Sequence, residues 1–381
     1  MKKFLAFLLA VTMVFAMAAC GSSKTAETTA AATEAAVEAT LSEAEATASP
    51  TGAAEAEADV MTHADYEAAE LNDAVIVETY VQAHQSWWDN KVTIYCQSED
   101  GAYFVYNAEC TEEDAARLET GTKIRVMGYK TEWSGEVEIA DATIEFLDGS
   151  FVAEPEDVTA LLGTDELAGH QNEKVALKNL VVTASNDEGA AFLYNWDGSG
   201  AEGNNNDLYF NVTDGINTYT FTVESYLCGE GSDVYTAVTE LNVGDVIDLE
   251  GFLYWYNGAQ PHITAVTECD SPSVILKDGA VYGEGANSFT FTVKDADENT
   301  VTVTVNTDAA TVGEALVALN MIAGDDSDYG LYVKSVNGIT ADYDADGAYW
   351  AFYIDGEYAM TGVDSTDVTA DAVYSFEYTK G

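Results

Sequence analysis

The sequence predicts a mainly β protein with a few helices: two small closed barrels in tandem, then a sheet with one helix packed across it. Three observations carry this. Gly (30) and Tyr (22) are abundant and Pro (4) is rare among the 381 residues, a composition that leans towards extended backbone. Several segments alternate apolar and polar residues with a period of two, as half-buried strands do. A motif also recurs: Gly121-Thr-Lys-Ile-Arg-Val-Met-Gly128-Tyr129 returns as Gly244-Asp-Val-Ile-Asp-Leu-Glu-Gly251-Phe252. Ile139 and Thr143 then match Ile263 and Thr267, which marks a duplication.

The amino terminus comes first. Lys2 and Lys3 precede an apolar run, Phe4 to Met17, too short for the about 20 residues of a spanning helix. With the small residues Ala18 and Ala19 it reads as a secretory signal over 1–19. Met17-Ala18-Ala19-Cys20 resembles the lipobox of bacterial lipoproteins. The resemblance implies that Cys20 is the lipid attachment site and that the protein sits on the extracellular face of the cell membrane. Residues 20–62 hold one basic residue, Lys24, and no aromatic, and are expected to be an acidic Ala/Thr/Glu tether without a core.

From 63 to 150 the pattern is strands with one helix. Val75 opens a first strand, Lys91–Gln97 and Ala102–Ala108 form a hairpin turning at Asp100-Gly101, and Thr111 caps a helix. Lys123–Lys130 and Glu136–Phe146 complete the unit. This β-β-β-α-β-β order resembles the OB-fold, a small closed barrel. After a linker over 151–172, a second copy spans 173–270. Glu173–Asn186 is its first strand, Phe192–Trp196 its second, and an acidic Gly/Asn insertion runs from Asp197 to Asp207. Four cysteines remain beyond the anchor. A straight hairpin sets Cys110 too far from Cys96 for a bridge. In the OB-fold that the unit resembles, the third and fifth strands lie side by side, which implies a Cys228–Cys269 disulfide. Four free thiols are the other reading.

A second linker, 271–284, leads to the last domain, 285–381. Ser288–Val293 and Thr300–Val305 form a hairpin, Thr311 caps a helix with apolar residues at helical spacing, and further strands follow, a β-grasp-like order. Thr311-Val-Gly-Glu-Ala-Leu316, Tyr332-Val-Lys-Ser-Val-Asn-Gly338, Trp350-Ala-Phe-Tyr-Ile-Asp-Gly356-Glu357 and Val373-Tyr-Ser-Phe-Glu-Tyr378 resemble, in order and spacing, a bacterial domain family of unassigned function. That family looks like the C-terminal β domain of transcobalamin and intrinsic factor. Ala370-Asp371-Ala372 departs from its usual Gly-Asp turn. The resemblance implies a fold and a corrinoid-like ligand, with Trp350, Tyr353, Asp355 and Gly356 as ligand-binding candidates because an aromatic beside a tight polar turn suits a flat ligand.

Charge narrows the function. Fourteen Lys and Arg against 67 Asp and Glu give −53, which opposes binding to nucleic acid or to an anionic membrane surface. The histidines at 63, 84, 170 and 262 are scattered, and no HExxH, GxSxG or Cys-x-x-Cys occurs, so no enzyme is expected. Asp342, Asp344 and Asp346 before Gly347 fit the first half of a calcium loop, yet position twelve is Tyr353; an ordinary acidic turn is the alternative. Trp87-Trp88, Trp133 and Tyr254-Trp255-Tyr256 either fill the barrels or stack a neutral ligand on an outer face. The expected function is a non-enzymatic, lipid-anchored surface protein that captures a small molecule, a corrinoid in the first reading, for a membrane transporter. In the alternative the barrels bind glycan or protein partners.

Overall fold

A computed structural model describes residues 60–269, 271–327 and 330–381; the signal, Cys20 and most of the tether lie outside these. Among the described residues the protein is mainly β, in three units with three hydrophobic cores. No described helix is long and apolar enough to cross a membrane.

The first unit starts just inside the expected tether. Met61 N–H bonds Ile76 O at 2.8 Å, and Thr62 forms a capping box with Asp65 on helix α1 (His63–Ala68). Five strands follow: β1 (Ala74–His84), β2 (Lys91–Ser98), β3 (Gly101–Glu109), then the single-turn helix α2 (Glu112–Ala115), β4 (Thr122–Trp133) and β5 (Glu136–Ser150). They close in the order β1-β2-β3-β5-β4, with β3 and β5 parallel. Val77, Ile94, Val105, Val126 and Ile139 fill the interior with no solvent exposure. The buried Lys130 ammonium holds three carbonyls at the end of α1, Tyr66, Glu67 and Ala69, at 2.8–3.0 Å, where a cation complements the helix dipole. The β2–β3 turn sits one residue earlier than the sequence suggested, at Glu99-Asp100: Ser98 pairs with Gly101 and Cys96 with Tyr103.

The second unit comprises β6 (Glu156–Asp157), β7 (Lys174–Thr183), β8 (Phe192–Tyr194), β9 (Leu208–Thr213), β10 (Thr218–Val223), α3 (Asp233–Thr239), β11 (Val246–Phe252) and β12 (His262–Glu268). The pairings β7-β11-β12-β10-β9 return to β7, and β10 runs parallel to β12. This ring repeats the connectivity of the first. One expectation changes: Phe192–Tyr194 is not a stave of the ring but an edge strand outside it on β9, and Leu208–Thr213 takes the second position. The segment expected as a linker folds onto this unit, with Val158, Leu162 and Leu167 in its core.

The repeated glycine has a shared cause. Gly128 and Gly251 each sit where the pairing with the next strand shifts register. A Cβ at Gly128 would lie 2.7 Å from Ala140 O, and one at Gly251 would run into His262 O. Only glycine allows the backbones to approach so closely at these bulges.

The third unit holds β13 (Val281–Tyr282), β14 (Asn287–Lys294), β15 (Thr300–Thr307), α4 (Val312–Ala318), β16 (Ile322–Ser327), β17 (Gly330–Val336), β18 (Ile339–Thr340), α5 (Tyr343–Asp346), β19 (Ala348–Ile354), β20 (Glu357–Tyr358) and β21 (Val373–Lys380). A six-stranded sheet, β13-β15-β14-β21-β19-β20, packs with α4 and a three-stranded sheet, β16-β17-β18. Strand β14 lies parallel to the final strand β21 over five residue pairs, Thr290↔Val373 to Lys294↔Glu377. Thr311 caps α4 as expected and forms a capping box with Glu314, but α4 stops at Ala318 and Ile322 already opens a strand. Val274 and Leu276, from the second expected linker, are buried in this core.

Candidate functional site

The cleft that best suits a ligand lies on the second barrel. Its floor is the outer face of β9 and β10. Alternation turns Leu208, Phe210 and Val212 inward and leaves Tyr209 and Asn211 outward, opposite Thr222 and Thr220 respectively. Thr220 Oγ1 donates to Asn211 Oδ1 at 2.7 Å. One wall comes from the long β7–β9 connection, with Ser185, Leu193 and Trp196; the other comes from the β11–β12 loop, with Tyr254, Tyr256 and Gln260. Trp133, from the β4–β5 hairpin of the first barrel, completes a cleft of ≈ 690 Å³. Trp196 is 75% exposed, Trp133 63% and Tyr256 49%, so their faces are available to a ligand.

The first barrel holds this cleft in shape. Its hairpin tip accepts Asn257 N–H on Ser134 O at 2.7 Å, and Gly135 packs so tightly on the Trp255 indole that a Cβ there would be 2.8 Å from Cδ1. Glu136, fully buried, receives Trp255 N–H on Oε2 at 2.8 Å and Gln171 Nε2–H at 3.2 Å. Tyr95, Phe104 and Phe252 form an apolar seam between the barrels, with Tyr95 stacked on Phe252 at 4.6 Å. Tyr254 stacks on His262 at 4.2 Å. Tyr95 Oη and His262 Nδ1 are 2.6 Å apart. Burial lowers the imidazole to about 3 and raises the phenol. The ring is therefore neutral, and its tautomer sets which of the two groups donates the shared hydrogen.

Two carboxyls and no lysine or arginine line the cleft. Burial, with Asp207 beside it, raises Glu224 to about 7. Glu224 Oε2 receives Leu227 N–H at 2.8 Å, and Asp207 Oδ1 receives the amide and hydroxyl of Ser225 at 2.9 and 2.6 Å. The cleft thus presents aromatic faces, fixed acceptors and hydroxyls without fixed positive charge. It suits a neutral ligand with polar edges and apolar faces.

Of the aromatics singled out in the sequence, Trp133, Tyr254 and Tyr256 line the cleft, and Trp255 supports it. Trp87 instead donates Nε1–H to Cys110 O at 2.8 Å, and Trp88 lies exposed elsewhere. Tyr209, Trp196 and Asn211 were missed, although the alternation over Leu208–Val212 already turned Tyr209 and Asn211 outward.

The third unit's candidates do not converge. Trp350 is a buried core residue whose Nε1–H bonds Ile339 O at 3.3 Å. Tyr353, three residues on, lies on the opposite face of β19 from Trp350 and Phe352. Asp355 (φ +50°) and Gly356 (φ +81°) form the β19–β20 hairpin turn, and Asp355 Oδ1 holds Val373 N–H at 2.9 Å. Asp342, Asp344 and Asp346 do not gather around a common point. Asp342 caps α5 by accepting Asp344 and Ala345 N–H, and Asp346 receives Ala348 N–H and Tyr378 O–H. The Cys228–Cys269 bridge is not formed. Strand β10 ends at Val223 and the chain turns, with Cys228 N–H on Glu224 O, so Cys228 never reaches the end of β12. The Cys269 thiol meets Asn179 Nδ2 at 2.9 Å and Ser271 O at 3.1 Å.

Residues 309–380 match a domain family of unknown function, DUF4430. No protein of curated function matches the chain. Among solved structures, a Ruminococcus gnavus protein provisionally described as metal binding is 29% identical, over 25% of this chain and 99% of its own, with a TM-score of 0.25. Haptocorrin in complex with Cbi is 20% identical over 25% of each chain, TM-score 0.21; the match spans only a quarter of haptocorrin. A murine DNA binding protein bound with double-stranded DNA is 12% identical over 52% of this chain and 100% of its own, TM-score 0.25.

Proposed function

We propose that the protein is a non-enzymatic surface binding protein, lipid-anchored through Cys20, that captures a neutral carbohydrate in the cleft of its second barrel. The aromatic lining carries this reading. Exposed indole and phenol rings around a groove with amide and hydroxyl groups on its floor match the apolar faces and hydroxyl edges of sugar rings. The position also supports it: the β9–β10 face between the β7–β9 and β11–β12 loops is the surface on which OB-type barrels take oligosaccharides and oligonucleotides. A net charge of −53 and a lining free of lysine and arginine favour the first of these. Backbone and serine groups hold the two cleft carboxyls, an arrangement suited to orienting a ligand rather than moving protons. A corrinoid passed to a transporter is the competing cargo; of its candidate residues, Trp350 lies in the core, Asp355 and Gly356 form a turn, and Tyr353 lies on the other face of β19.

Affinity electrophoresis in gels containing neutral polysaccharides (β-glucan, xylan, mannan) tests this, with heparin as the charged control. Retardation by at least one neutral polymer, abolished in Trp196→Ala and Tyr256→Ala, is expected. Retardation equal in wild type and variants, or none with any neutral polymer while cobalamin colour persists through desalting, overturns it.

A further inference from the structure

A second cluster of polar groups lies outside the cleft. Strand β6 runs parallel to β7 with Glu156 beside Val175, and the turn at His170 carries the chain back so that Glu173 N–H bonds His170 O. These two local geometries bring Glu156, His170 and Glu173 together with one ligand atom of each within 4.8 Å of the others. His170 Nδ1 lies 2.9 Å from Glu173 Oε2 and 3.7 Å from Glu156 Oε2.

The contacts are electrostatically incomplete. Two carboxylates converge on one nitrogen, which can give a single hydrogen to one of them. Neither carboxylate has another side-chain partner among the described residues. The neighbouring Lys174 directs its ammonium to Ala153 O at 3.4 Å and pairs with neither carboxylate. Two like charges are left sharing one imidazole on a protein that is already strongly negative.

We infer that Glu156, His170 and Glu173 form a site for a first-row divalent transition-metal ion, with Zn²⁺ as the representative. One imidazole nitrogen and two carboxylate oxygens are the donor types such ions take, leaving a fourth position for water. Bonds of about 2.0–2.1 Å in a tetrahedron put neighbouring ligand atoms about 3.3–3.4 Å apart, and the two separations from Nδ1 lie on either side of that value. The ion neutralises both carboxylates and ties β6, the His170 turn and β7 together. Gln171 and Asn172, between His170 and Glu173, are the residues that grip Gly135 O and Val137 O of the first barrel at 2.8 and 3.0 Å. Metal binding therefore stiffens the junction between the barrels.

Titration of the untagged full chain with Co²⁺ and Zn²⁺ tests the site. Expected are visible d–d bands of tetrahedral Co²⁺ that Zn²⁺ displaces, one equivalent bound, and a Kd tighter than about 1 mM, the weak limit of extracellular calcium modules. His170→Ala and Glu156→Gln should each weaken binding at least about tenfold and abolish the rise in melting temperature that Zn²⁺ gives the wild type. Glu156 is an exposed side chain, so its variant decides the matter even where His170→Ala folds poorly. No saturable binding, equal affinity in wild type and Glu156→Gln, or Ca²⁺ bound as tightly as Zn²⁺ would each overturn the assignment.

Discussion

Replacing Glu136 by glutamine should make the protein more stable at neutral pH, against the usual outcome for a buried polar residue. Glu136 has no exposure to solvent, and its Oε1 has no hydrogen-bond partner. Burial raises the carboxyl from 4.5 to about 8, against the opposing effect of the Trp255 N–H. A raised carboxyl takes up a proton on folding between those two pH values. Stability is therefore full below 4.5 and falls as pH rises towards 8. At pH 7 the 2.5 units above the unfolded value, at about 1.36 kcal/mol each, amount to roughly 3 kcal/mol. Glutamine has the shape of the protonated acid and escapes this cost, so a gain of about 1–3 kcal/mol is expected once an imperfectly placed amide is allowed for. Urea unfolding followed by tryptophan fluorescence at pH 5 and pH 7.5 measures it. The gap should shrink to under about 1 kcal/mol at pH 5. Glu224, raised to about 7, and His262, lowered to about 3, tilt both proteins alike, so the difference between them is diagnostic. A glutamine variant less stable than wild type at pH 7.5, or a gap equal at both pH values, would refute the reasoning.

Further outcomes follow from the same structure. Gly128→Ala and Gly251→Ala should each cost at least about 1–3 kcal/mol in thermal unfolding, because the added methyl meets the backbone of the facing strand; a loss within the measurement error would sink the close-approach account. Trp196→Ala and Trp133→Ala should leave the melting temperature within a degree or so while weakening carbohydrate retention about tenfold or more, since both rings stand in solvent. Dithiothreitol should not shift the melting temperature, and mass spectrometry should find no hydrogens gained at Cys228 or Cys269. Asp342→Ala should cost about 1 kcal/mol as a lost helix cap, and millimolar Ca²⁺ should protect neither form.

The barrels were legible because their information is local. Period-two alternation sets which residues face inward, and the recurrent Gly128 and Gly251 mark a bulge that any side chain would block. The Thr311 cap was legible for the same reason, since its partner Glu314 is three residues away. The cleft was not, because Trp133 belongs to one barrel and Tyr209, Trp196 and Tyr256 to three separate segments of the other. The second barrel's inserted edge strand also displaced the expected order, so Tyr209 was not placed on an outer face. The third unit's candidates do not share a face, a point the sequence did contain: Trp350 and Tyr353 are an odd number of residues apart and so face opposite ways on one strand. The disulfide failed because β10 stops at Val223, where nothing in the residue pattern marks the end. Glu136 was invisible too, an acid among many whose burial depends on a loop 119 residues away.

The parallel pairing of β14 with β21 gives the last domain a mechanical character. A pull applied at the start of β14 and the end of β21 draws the two strands in opposite directions. The two strands then slide along one another, and the hydrogen bonds across their five paired residues are loaded together rather than opened one at a time. An antiparallel terminal pair pulled from one edge would unzip. A domain clasped in shear resists extension along the line of that pair.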